Sequence, residues 1–225
     1  MKLKEYMQAA FPGLKLKSTL YHQWPVAIHF EFGKGISPFI HESDQLNPAY
    51  FDRVHAQCLS LFSEVFSADD QIFLVTNLYH HENTFRKSNK KMKVYLHYVK
   101  DKEKRFQVQQ ETLPYPFDDE EESDAYRTAQ FSLACRKEDI DFSSLFKAIS
   151  HQDFSPLKPR LHNPYYSYEP DVFFVNATQN IILFMYDDRG CEIIAKDVDA
   201  IRPLYEKYRN WVDVYYLEET KRMFE

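Results

Sequence analysis

The sequence predicts an α+β fold, a mainly antiparallel sheet with helices packed against it, and three observations lead there. Several short stretches alternate apolar and polar residues with period two, as strands do when a sheet covers one of their faces. Longer stretches carry apolar residues at helical spacing. The chain from Val172 onward reads as a three-stranded meander turned at Asp187-Asp188-Arg189-Gly190 and followed by a long amphipathic helix.

Residues 2–11 read as a helix, with Leu3, Tyr6, Met7 and Ala10 on one side and Pro12-Gly13 ending it. Val26 to Phe32 reads as a strand: Val26, Ile28, Phe30 and Phe32 face one way, Ala27, His29 and Glu31 the other. Residues 33–46 are expected to be loop. Asn47-Pro48 is a strong helix start, because Asn accepts an orphan backbone N–H and Pro suits the first helical position. The helix should run to about Phe66 with Phe51, Val54, His55, Cys58, Leu61, Phe62 and Val65 along its stripe. Asp69-Asp70 makes a turn, and Ile72 to Leu78 is apolar enough for a strand buried on both faces.

Lys93 to Val99 and Phe106 to Leu113 read as a hairpin around the charged turn 100–104. Six carboxylates within residues 118–124 repel one another and predict a loop, with steering of a basic partner as the functional alternative. Tyr126 to Cys135 is a strand and residues 139–149 a helix. Residues 150–170 hold Pro156, Pro159, Pro164 and Pro170 without any period. They are expected to connect a main body, 1–150, to a C-terminal meander–helix unit, 171–225, within one α+β domain. Ile181 to Tyr186 and Cys191 to Lys196 form the hairpin, with Gly190 supplying a left-handed turn residue. Asp197 or Asp199 caps the last helix, and Pro203 places its regular part from residues 199–202, so that the missing N–H falls in the first turn. Leu204, Tyr205, Tyr208, Trp211, Val212 and Tyr215 make its stripe.

Composition narrows the function. Of 225 residues, 44% are hydrophobic and 16% aromatic, which is ample for a core. The net charge of -6 and the scattered basic residues argue against a nucleic-acid binder. The short basic run Arg86–Lys91 reads as a solvated loop. Three well-separated cysteines, Cys58, Cys135 and Cys191, suit free buried thiols in a reducing compartment. With neither a signal-peptide pattern nor a long apolar run, a cytoplasmic protein away from the membrane is expected. Four glycines are too few for a phosphate-binding loop, and no Gly-x-Ser-x-Gly elbow exists.

The segments Tyr168-Glu169-Pro170-Asp171, Phe173-Phe174-Val175, Met185-Tyr186-Asp187-Asp188-Arg189-Gly190, Arg202-Pro203-Leu204-Tyr205-Glu206-Lys207-Tyr208 and Trp211 together resemble a bacterial family, a domain of unknown function found largely in Bacillus-like organisms. Leu14-Lys15-Leu16 and Phe32-Gly33 fit the same family. The resemblance implies membership and no particular chemistry. By analogy, some small acidic bacterial proteins of comparable architecture act as immunity partners of secreted toxins.

Asp187, Asp188, Arg189 and Gly190 are the sharpest candidate site. They read either as a turn in which an aspartate caps backbone N–H groups and Arg189 pairs with an acid, or as a partner-binding feature. A metal reading of Asp187 and Asp188 meets a difficulty: neighbours on a strand point to opposite faces. No third carboxylate stands at a helpful spacing; Glu192 and Asp197 are the nearest possibilities. His80-His81-Glu82 reads as loop, lacking the companions zinc needs. His29 with Glu31 suits a cross-strand ion pair better than an acid–base pair. His97, between Tyr95 and Val99, reads the same way on the strand expected there. His55 with Cys58 falls on the buried helix stripe. The expectation is therefore a non-enzymatic, acidic protein-binding module without cofactor or metal, its form an immunity-type inhibitor of a basic toxin. The alternatives are a metal-dependent hydrolase or nuclease using Asp187 and Asp188, and an accessory scaffold subunit.

Overall fold

The computed structural model describes residues 1–83, 93–117, 123–161 and 169–225. The basic run Arg86–Lys91, most of the acidic stretch 118–124, part of the connector and Tyr168 lie outside the described residues.

Seven strands are described: β1 (Ala27–Glu31), β2 (Ile72–His81), β3 (Gln109–Pro114), β4 (Tyr126–Cys135), β5 (Asp171–Asn176), β6 (Ile181–Met185) and β7 (Gly190–Ala195). They form one antiparallel sheet in the order β1-β7-β6-β5-β2-β4-β3. The helices are α1 (Leu3–Ala10), α2 (Pro48–Val65), α3 (Lys93–Tyr98), α4 (Phe142–Ser150), α5 (Val198–Tyr208) and α6 (Leu217–Phe224). The α+β class is as expected, and so is a meander followed by a helix. The meander sits in the middle of the sheet, β5 pairing with β2 and β7 with β1.

That position explains the composition of the central strands. Leu74, Phe174, Leu183 and Ile193 point into a core with α2, α4 and α5. Their strand neighbours Phe73, Phe173, Phe184 and Ile194 point the other way, into a second core under α1. A strand covered on both faces loses the polar alternation and becomes continuously apolar. The edges differ. β3 exposes Gln109, Gln110 and Glu111, a polar edge that discourages pairing with another chain. The outer side of β1 is bridged by Val212 opposite Phe30, and Asp213 N–H donates to His29 O at 3.0 Å.

Local signals account for several helices. Asn47 Oδ1 accepts Ala49 N–H at 3.2 Å and starts α2, with Pro48 in its first turn. Asp141 caps α4, three residues later than the expected start, because Lys137–Asp139 forms a separate 3-10 turn. Asp197 caps α5 from Val198, so Pro203 lies inside that helix rather than in its first turn. An interior Pro costs about 3 kcal/mol. Full burial of Ile201 and near-full burial of Leu204 offset that cost. The apolar stripe is divided at residues 209–211, a 3-10 turn. Val212 then bridges to β1, Tyr215 stands 89% exposed, and α6 follows.

The expected hairpin of residues 93–113 is not formed. Lys93–Tyr98 is helical, and β3 pairs with β4. The reason is Tyr95, buried against β2 and β4 with its hydroxyl 3.1 Å from Leu74 O and 2.9 Å from Phe131 O, and accepting Thr76 Oγ–H at 3.3 Å. A buried hydroxyl needs such partners, and helical geometry delivers Val94, Tyr95 and Tyr98 to one side together. The turn at 100–104 is not wholly solvated either, since Lys104 pairs with the largely buried Asp139.

One fully buried side chain ties the sheet's centre. Asn176 Nδ2 donates to Val65 O at 2.8 Å and to Asp70 Oδ2 at 2.7 Å. Its Oδ1 accepts Thr178 and Gln179 N–H, each at 3.0 Å. Asp70 in turn accepts Ser67 N–H at 2.8 Å. The end of α2, the turn into β2 and the β5–β6 turn are thus held at one point. Asn176→Ala strands at least two buried polar groups, each at about 1–3 kcal/mol. Urea unfolding should show roughly 2 kcal/mol or more of lost stability.

Candidate functional site

The β6–β7 turn is built by its own side chains. Asp187 Oδ1 accepts Arg189 N–H at 2.7 Å, and Oδ2 accepts Arg189 Nε–H at 2.8 Å, with Nη2 as a further partner. Asp188 Oδ2 accepts the Tyr50 O–H from α2 at 2.7 Å. Both aspartates are buried, whereas the Arg189 side chain is 74% exposed. Burial holds the Asp188 carboxyl above its ordinary pKa and the charge of Asp187 adds to that, against the pull of the Tyr50 hydrogen bond. Pairing with Asp187 pushes the Arg189 guanidinium up.

Gly190 has a different reason from the expected one. Its φ is not positive; the glycines with positive φ are Gly13, Gly33 and Gly35. A Cβ at Gly190 would stand 2.1 Å from Phe30 O and 2.4 Å from the Tyr186 hydroxyl. The glycine lets β7 approach β1 closely, while Phe32 N–H donates to Arg189 O at 2.7 Å.

The structure brings a third carboxylate to the turn from the connector. One ligand atom each of Asp153, Asp187 and Asp188 lie within 4.8 Å of one another. The turn re-aims the neighbouring aspartates, so the strand argument for their divergence does not hold here. Neither expected third acid takes part: Asp197 caps α5, and Glu192 Oε2 accepts Tyr21 N–H at 3.2 Å. Asp153 is held in place by its neighbours. Gln152 Nε2 donates to Tyr186 O at 2.9 Å, and Phe154 packs edge-on to Phe51 at 4.8 Å. Phe154 also meets Phe39, with ring centroids 6.1 Å apart. Phe39 and Ile40 are 42% and 45% exposed. Two solvent-facing apolar side chains, three carboxylates and one exposed guanidinium therefore share one end of the molecule. Asp153 carried no signal in sequence, because it lies in an aperiodic segment whose fold is set by tertiary packing.

A second titratable cluster surrounds His29. Its register partner across β1 and β7 is Glu192, at 3.8 Å, and Asp213 lies 3.8 Å from the other ring nitrogen. The cross-strand partner expected for His29 is thus Glu192, while Glu31, on the same strand, pairs with Lys34. His29 Nε2 is 2.9 Å from the Tyr186 hydroxyl, and the ring stacks on Tyr216 at 4.9 Å. Burial lowers the His29 pKa, partly opposed by Asp213, and burial raises that of Glu192.

The remaining candidates separate. His80 and His81 continue β2 opposite Arg127 and Tyr126, rather than lying in a loop. His97 is on α3, not on a strand. His55 leaves the buried stripe and meets Ser143 O at 3.1 Å. Cys58 is fully buried 3.4 Å from Met185 Sδ, and burial pushes its thiol well up, away from the thiolate a nucleophile needs. All three cysteines are free and buried. Among the described residues no helix is long and apolar enough to cross a membrane.

Comparison with known proteins agrees with the resemblance. The family model described as Domain of unknown function (DUF3885) matches residues 3–216, and the chain belongs to that family. An uncharacterized protein of Bacillus subtilis (strain 168), YnaE, is 43% identical over 215 residues, covering 96% of this chain and 99% of that protein. No solved structure matches.

Two outcomes follow from this geometry. Gly190→Ala forces β7 off the Phe30 carbonyl and should cost roughly 1–3 kcal/mol in denaturant unfolding. His29 takes up its proton in the unfolded chain near the ordinary 6.5 and in the folded protein only at lower pH. The unfolded state therefore binds more protons below about that pH, and acid removes stability. In urea titrations across that window, His29→Gln should show a shallower acid loss than the parent.

Proposed function

We propose that this member of the family is a non-enzymatic binding module for a protein partner, of the immunity type that inhibits a basic bacterial toxin. The observation that carries the reading is the pairing of exposed Phe39 and Ile40 with Asp153 and the Asp187–Arg189 turn at one end of the molecule. Aromatic and arginine side chains are the usual anchors of protein interfaces. Acidic groups around them raise the association rate with a basic partner, as does the net charge of -6. The carboxylates have a structural part in the turn as well, since Asp187 and Asp188 already hold Arg189 and Tyr50.

The reading predicts that the immobilised protein retains a basic protein from a lysate of its native host, and that raised salt weakens the retention. Changing Phe39→Ser and Ile40→Ser together should weaken binding by about tenfold or more. Equal retention by parent and double variant, or retention of nothing, contradicts it.

One observation favours a second reading, a metal-dependent hydrolase or nuclease: Asp153 supplies the third carboxylate that Asp187 and Asp188 lacked in sequence. Calorimetry with Mg²⁺, Mn²⁺ and Zn²⁺ separates the readings. The binding-module reading expects no ion uptake that Asp187→Asn, Asp188→Asn and Asp153→Asn abolish; uptake lost in all three supports the metal site.

A further inference from the structure

On the α1 side of the sheet, away from α2 and Tyr50, lies a cavity of about 310 Å³ between α1 and the strands β2, β4 and β3. Its volume is at the lower end of the range for small-molecule sites, about 300–1,000 Å³. Its apolar walls include Leu3 and Met7 from α1, Phe11 just after that helix, and Leu113 from β3. Its floor is polar. Asn77, Gln130 and Glu111 are register partners across β2, β4 and β3, so they form one row on the sheet. Elsewhere the same face carries Phe73, Val75, Phe173, Val175, Ile182 and Ile194. Beneath α1 the sheet presents Phe73, Val75, Phe173 and Val175, and the polar row of Asn77, Gln130 and Glu111 lies where the cavity opens.

The hydrogen bonds of the floor leave one amide edge open. Asn77 is 1% exposed and engaged through both ends of its amide: its Nδ2 donates to Leu16 O at 2.6 Å, and its Oδ1 accepts Gln130 Nε2–H at 3.1 Å. That bond fixes the Gln130 amide. Its second N–H and its Oε1 are left without a partner among the described residues, a donor beside an acceptor. At the rim Lys4 Nζ meets Glu111 Oε1 at 3.2 Å, so these two charges compensate each other, and Lys15 also lines the cavity. An amide with donor and acceptor side by side complements the edge of a heterocycle that carries the reverse pair, as Gln does with adenine.

We propose that this cavity binds a small uncharged heterocycle of the nucleobase class, its ring faces against Leu3, Met7 and Phe11 and its polar edge on Gln130. The site is independent of the surface around the β6–β7 turn. The probe is adenine, with indene as a bicyclic control lacking the donor–acceptor edge, measured by calorimetry and saturation-transfer NMR on the full chain. Adenine should bind in preference to indene. Gln130→Leu should weaken adenine binding by about tenfold or more while leaving the circular dichroism of the parent. Met7→Trp, which fills the cavity from α1, should remove binding. Absence of adenine binding to the parent, binding unchanged in Gln130→Leu, or indene binding as tightly as adenine overturns the proposal.

Discussion

The pairing of β5 with β2, held by the Asn176–Asp70 contact, is the constraint on which the other elements depend. Register pairs run from Ile72 with Asn176 to Asn77 with Asp171. At the first of them, Asn176 also collects the end of α2 and the β5–β6 turn. A one-residue slip would exchange the Phe173/Val175 and Val172/Phe174 faces. Both faces are buried in different cores, so the slip would mismatch both at once. The buried polar contact selects one register out of several that an all-apolar strand would accept, because any other leaves Asn176 and Asp70 unsatisfied.

The candidate surface follows from that central placement. With β6 and β7 between β5 and β1, their turn emerges at one end of the sheet, beside the start of α2 and the connector that follows α4. Tyr50 reaches Asp188 from the first, and Asp153 reaches it from the second. The close β1–β7 approach at Gly190 keeps the turn short, and Asp187 stiffens it by holding both the backbone and the guanidinium of Arg189. The result is a rigid, charged turn next to an exposed apolar loop. A preorganised surface of this kind loses little conformational entropy on binding.

Much of this was legible where the cause is local. Asn47-Pro48 starts a helix by its own hydrogen bonding. The β6–β7 hairpin shows in its turn, and the apolar run of β2 announces burial on both faces. What could not be read depends on contacts distant in sequence. Lys93–Tyr98 has β-branched and aromatic residues that favour a strand, and it is helical because Tyr95 finds three partners on β2 and β4. A cross-strand partner for His29 was expected, and its identity, Glu192, is supplied only by the register of β1 with β7. Of the candidate site, the turn residues were visible, while Asp153, Tyr50 and Phe39 joined them only through packing. Gly190 was noticed for its type, yet its reason, the nearby Phe30 carbonyl, lies on another strand.

Native-state hydrogen exchange tests the central claim, that the meander opens only with the strands it joins. The amides of β5 and β6 should exchange with those of β2, at the free energy of global unfolding, while β3 at the polar edge exchanges faster. Exchange of residues 171–195 as a separate unit of lower stability, with β2 still protected, would contradict it.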